Sequence, residues 1–204
     1  MNAVSPQTLD FLKELVQQTL LRPRLAAERL IAMAWPREWL WMGLALMTLL
    51  NTIVYSLAMV SSPPADPEAL AMVPPAFQSP FLFALFLGGA LVITVFALTW
   101  IGQAMGGKAQ LDDILVLITW LQVVRLALQI VLLGVMMLSP ALGGIMVITA
   151  SVWGLVILVA FLDQAHGFAS TFKAILVLFV AVLAMVVGLS ILLGVMGVAV
   201  LGGV

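Results

Sequence analysis

Residues 114–138 read Ile-Leu-Val-Leu-Ile-Thr-Trp-Leu-Gln-Val-Val-Arg-Leu-Ala-Leu-Gln-Ile-Val-Leu-Leu-Gly-Val-Met-Met-Leu. This run of 25 residues holds one charge, Arg125, and no proline. At a rise of about 1.5 Å per residue, a helix of that length crosses a hydrocarbon core of about 30 Å. Four similar runs flank it. With it, the expected spans are 39–60, 81–104, 114–138, 145–162 and 174–197. Backbone in lipid must pair with itself, which a helix does within one segment. A β-barrel would show short alternating strands, and these runs are continuous.

Composition agrees. Hydrophobic residues make up 64% of the 204, and charged residues 8%. A soluble domain carries about 25% charge. A chain of this length has too little core to hide so much apolar surface from water. A soluble enzyme, a disordered chain and a nucleic-acid binder are therefore excluded. The expected fold class is all-α: a polytopic membrane protein with five transmembrane helices and the lipid bilayer as its first partner.

The breaks fall where helices should end. Six of the ten prolines lie in 61–80, a segment made acidic by Asp66 and Glu68. Gly106-Gly107 separates the second and third spans. Ser139-Pro140 with Gly143-Gly144 separates the third and fourth. Orientation follows from lysine and arginine in the short connections. Lys13, Arg22, Arg24, Arg29 and Arg37 precede the first span, Lys108 lies in 105–113, and Lys173 ends 163–173. The alternate connections and the tail hold none. The N-terminus is expected in the cytoplasm and the C-terminus in the periplasm. Trp35, Trp39, Trp41 and Trp100 suit the headgroup level on that side; Trp153, mid-span, is expected to pack between helices.

Residues 1–38 form a separate unit, and 39–204 the five-helix transmembrane unit. The first apolar run begins only at Trp39, so no signal peptide is expected. Leu9, Leu12, Leu15, Val16, Thr19 and Leu20 recur at helical spacing, with Ser5-Pro6 as cap and first position. Pro23 interrupts, and Leu25, Ala26, Leu30 and Met33 continue. Two short amphipathic helices are expected. They lie on the cytoplasmic membrane face, with Arg22, Arg24, Arg29 and Arg37 as its basic residues, or pack on the protein's own loops.

Arg125 carries the most information. Its Cα should sit near mid-membrane, where a charge costs about 2.5–3.5 kcal/mol on insertion scales. Thr119, Gln122, Arg125 and Gln129 share one helical stripe. No Asp or Glu lies in any of the five spans. Three readings stay open: burial satisfied by carbonyls, amides and water; a polar cavity for an anionic ligand; or pairing with an acid on another subunit. Ala184-x-x-x-Gly188, Ser190-x-x-x-Gly194 and Gly102-x-x-x-Gly106 offer close helix contacts, within one chain or across a homo-oligomer. Asp112-Asp113 should start the third span. Asp163 and His166 form an ordinary interfacial pair.

No catalytic, cofactor or metal site is expected. The chain has no cysteine and one histidine. Gly-x-Ser-x-Gly and His-Glu-x-x-His are absent, and 102–108 lacks the P-loop spacing.

The order of features resembles the Yip1 domain family in its bacterial form. The likeness is carried by Arg22-Pro23-Arg24, by Trp35-Pro36-Arg37-Glu38-Trp39 and by Met105-Gly106-Gly107-Lys108-Ala109-Gln110-Leu111-Asp112-Asp113-Ile114-Leu115. It is completed by 163–174, with its Phe168-x-x-x-Phe172-Lys173-Ala174 lead into the last span. It runs from about Leu21 to Met196. The Tyr-Gly-Pro segment of eukaryotic members is absent. The resemblance implies a five-spanning protein of the bacterial inner membrane with no known catalytic centre. Function is then expected as a non-enzymatic, membrane-organising or partner-binding scaffold. The alternatives are a small anion transporter or channel using the Arg125 stripe, and an accessory subunit of a larger complex.

Overall fold

The computed structural model describes residues 6–61 and 79–201. The Ser5 cap, Asp66 and Glu68 with most of the acidic connection, and the last three residues lie outside them. The described residues are helical throughout their ordered elements, without a strand. The helices are α1 (Pro6–Leu21), α2 (Pro23–Ala32), α3 (Arg37–Ser61), α4 (Pro80–Ala104), α5 (Leu111–Leu138), α6 (Pro140–His166) and α7 (Thr171–Leu201). The last five are long and apolar enough to cross a membrane.

Helix α6 outruns the expected 145–162 at both ends. Ser139 caps it by accepting from the Leu142 amide at 3.4 Å, and Pro140 takes the first position, where a missing N–H costs nothing. The helix then runs through Gly143-Gly144. Gly143 serves packing instead, because a Cβ there would crowd Met136 of α5. At the other end the helix continues through Asp163 to His166. Gly167 (φ 63°) takes the left-handed capping conformation, and the Phe168 amide donates to the Asp163 carbonyl at 3.2 Å.

Helix α5 is central, packing against α2, α3, α4 and α6, while α7 closes against α4 and α6. The segments carrying lysine and arginine meet at one end. Arg37 at the start of α3 pairs with Asp112 at the start of α5. The Lys108 amide donates to the His166 carbonyl at 3.1 Å. Arg24 of α2 reaches both Asp163 and Thr171, two residues before Lys173. This is the basic end of the bundle.

On α5 and α6 the buried core gathers toward that end, while on α4 it runs from Phe83 to Gly102. On α5 it comprises Ile114–Ile118, Trp120 and Gln122, and nothing beyond Gln122 is buried. On α6 it is Ile157, Phe161, Leu162, Asp163 and His166, with Gly143 apart.

Helix α2 packs on the spans α5 and α6, and α1 packs on α2. They form a hairpin against the sides of the spans. Ala26, Ala27 and Leu30 are buried as α2 packs on α5 and α6. Leu15 and Thr19 of α1 are buried too. Small residues on α2 permit this close approach, whereas larger ones would hold it off.

Candidate functional site

Two constellations carry the chemistry-bearing residues. The first lies at the basic end. Asp163 is buried and accepts from Arg24 Nη2 at 2.7 Å and from the Ser170 amide at 2.9 Å. A buried carboxylate is stable only when paired and hydrogen-bonded. These two donors meet that need, and they tie the hairpin to the α6–α7 turn. Ala169 (φ 49°) adopts a left-handed conformation inside this turn, uncommon for a residue with a Cβ. Asp163 does not pair with His166. The His166 ring is fully buried, stacks on Phe168 (centroids 5.0 Å apart) and presses on Gly102 and Gly107. A Cβ at either glycine would overlap the imidazole. Gly102 thus cradles a side chain; in the expected small-residue motif it would meet a helix backbone.

The acidic pair after Lys108 divides its work. Asp113 accepts from the Gln110 amide at 2.8 Å in a capping box. Asp112 is held by Arg37 through Nε at 2.6 Å and Nη2 at 3.1 Å, a two-pronged geometry that fixes orientation as well as charge. Arg29 donates to Gln18 and pairs with Glu14, over the Phe11 ring. Of the four expected membrane-surface cations, Arg24, Arg29 and Arg37 are therefore engaged with the protein's own groups. Arg22 makes no such contact among the described residues.

The second constellation is the α5 stripe, and the structure divides it. Thr119 and Gln122 face α3: a Cβ at Gly43 would meet the Thr119 methyl, and Asn51 Nδ2 donates to the Gln122 carbonyl at 3.4 Å. Thr119 Oγ1, Gln122 Oε1 and Gln129 Oε1 are buried atoms without a hydrogen-bond partner among the described residues. Arg125, at the margin of the stripe, is exposed. It has no ion pair or hydrogen bond among the described residues. Thr48 and Thr99 turn their hydroxyls to their own helix carbonyls, and Thr94 does so too while meeting Met185 of α7. None of them serves Arg125.

Small-residue spacing has an internal use at one position. Gly188 of α7 lies against Ile93 of α4, where an added Cβ would sit 3.2 Å from the side chain. A Cβ at Gly194 would meet nothing within 4 Å among the described residues.

Sequence reasoning missed the indole contacts. Trp120 Nε1 donates to Thr19 Oγ1 at 2.8 Å, and Trp153 Nε1 to the Leu20 carbonyl at 3.1 Å. Trp153 is half exposed and bonds to α1 rather than packing between two spans. A tryptophan placed mid-span beside an otherwise apolar helix was the available signal.

Comparison with protein families matches the Yip1 domain model over residues 18–192. Comparison with curated proteins and with solved structures finds no match.

Proposed function

The chain belongs to the Yip1 domain family, and from that premise we propose that it is a non-enzymatic scaffold or accessory subunit that binds a partner within the membrane. The proposed setting is a bacterial inner membrane, with the N-terminus and the basic end in the cytoplasm. The C-terminus then lies in the periplasm.

The observation that carries this reading is Arg125. It sits fifteen residues into α5, which has 28, exposed on a flank that would otherwise meet acyl chains. An unpaired charge there is costly and marks a partner. A second copy of the chain carries no carboxylate within its spans (39–60, 81–104, 114–138, 145–162, 174–197). The partner is therefore a different protein whose membrane helix bears an Asp or Glu at similar depth. Thr119 and Gln122 position α5 against α3. That division speaks against an anion path, because the four polar residues do not line one passage.

Affinity capture from native membranes in mild detergent, with mass spectrometry, tests the proposal. Wild type should retain a stoichiometric membrane partner, and Arg125→Leu should lose it while keeping its own fold. Equal capture by both proteins, or a wild type that purifies alone, would contradict it.

A further inference from the structure

We propose that the α1–α2 hairpin is a re-entrant element, inserted among the acyl chains of the leaflet at the basic end and not laid on the membrane surface. This goes beyond partner binding and does not depend on it.

The depth comes from two hydrogen bonds. Trp153 is the middle residue of α6 and lies thirteen residues before His166, about 20 Å along the helix at ~1.5 Å per residue. Its indole donates to the carbonyl of Leu20, at the end of α1. Trp120, nine residues after Leu111, donates to Thr19. The end of α1 therefore lies beside the spans, next to Trp153, and Arg24 four residues on reaches back to Asp163 at the basic end.

The chemistry fits a low-dielectric setting. The last carbonyls of a helix have no partner within it. In hydrocarbon such a group costs several kcal/mol if left unpaired. Here Trp153 supplies the donor for Leu20, and the Arg22 amide closes on Gln18 at 2.7 Å. Thr19 is satisfied twice, donating to the Leu15 carbonyl and accepting from Trp120.

The surface of α1 identifies the occupant. Leu9, Leu12 and Leu20 form an exposed strip at helical spacing, next to the buried Leu15 and Thr19. At its far end this strip adjoins the exposed apolar residues around Trp153, among them Val152 and Val156 of α6. A surface continuous with the lipid-covered face of a span meets acyl chains. Opposite it, Glu14, Gln17, Gln18, Leu21, Arg22 and Leu25 line an outward-opening groove of about 280 Å³. A groove of that size, lined in part by polar and charged side chains, has room for water beside Arg22.

The chain has no cysteine, so single cysteines at Leu12, Leu20 and Gln17 can each carry a nitrobenzoxadiazole probe. The protein is placed in phosphatidylethanolamine–phosphatidylglycerol vesicles. Acyl-chain nitroxide lipids should quench the Leu12 and Leu20 probes several-fold more than aqueous iodide does, and Leu20 best with the deeper nitroxide. The Gln17 probe should show the reverse preference. Iodide quenching of all three without acyl-chain quenching would overturn the proposal, as would protection of Leu12 and Leu20 from both quenchers. Unmodified protein supplies an independent reading. A phospholipid with a diazirine in its acyl chain should leave photoadducts on residues 9–20, and their absence there would also overturn it.

Discussion

The two ends of the bundle are held by different physics. At the basic end nearly every contact depends on residue identity. Asp163 needs Arg24, Asp112 needs Arg37, and the His166 ring needs two glycines. Toward the opposite end the side chains of α5 and α6 mostly face outward, while α4 keeps Phe83 and Leu87 buried. Met137 and Leu138, 87% and 89% exposed, close α5 with little protein to pack on among the described residues. Tyr55 stacked on Phe83 (centroids 4.2 Å apart) and the close Gly143–Met136 approach are among the few specific contacts there. Where lipid is the packing partner, an apolar side chain of any shape serves. Where protein is the partner, shape and charge must match.

Substitutions can break that contrast. The largest effect is expected at Gly102→Val, which drives a branched side chain into the His166 ring. Overpacking of this kind costs about 1–3 kcal/mol. It should appear as a lower melting temperature in detergent, and His166→Ala in the same chain should recover part of the loss. Next comes Asp163→Ala, which leaves the Ser170 amide and Arg24 without their acceptor. A charge-assisted bond is worth about 1.5–3 kcal/mol. Because Arg24 is half exposed, its share is screened, and a total of about 2 kcal/mol is expected. Proteolysis between α2 and α3 should accelerate in this variant as the hairpin loosens. Arg37→Ala removes an exposed clamp, so its loss should be smaller and should shrink further as salt rises. Smallest of all is Leu138→Ala at the opposite end, expected within about 0.5 kcal/mol of wild type. An equal loss at Leu138 and Asp163 would erase the distinction between the ends.

The same contrast explains what could be read from the chain alone. Hydrocarbon-length runs require no partner to be recognised, so all five spans were legible, as was the gathering of basic residues at one end. The Gly143-Gly144 pair misled because glycines that end helices in water need not do so where the backbone has no other partner. Pro23 marked the hairpin turn, and the apolar stripe of α1 showed that something covers it. Helical spacing cannot say what, since α5, α6, lipid and loops all accept leucine. The Arg24–Asp163 pair joins residues 139 positions apart and leaves no local trace. For Arg125, depth followed from counting along the run. Its outward direction depended on how α3 packs, and only the assembled bundle shows that.

Oxygen accessibility along α5, measured by electron paramagnetic resonance of spin-labelled single cysteines in lipid nanodiscs, tests the contrast most directly. Positions 114–118 should be uniformly shielded, whichever way they face. Beyond Gln122, accessibility should rise and oscillate with the helical period, lowest on the flank toward α3. The same oscillation along the whole helix, or uniform shielding out to Leu138, would contradict a bundle packed by protein at one end and by lipid at the other.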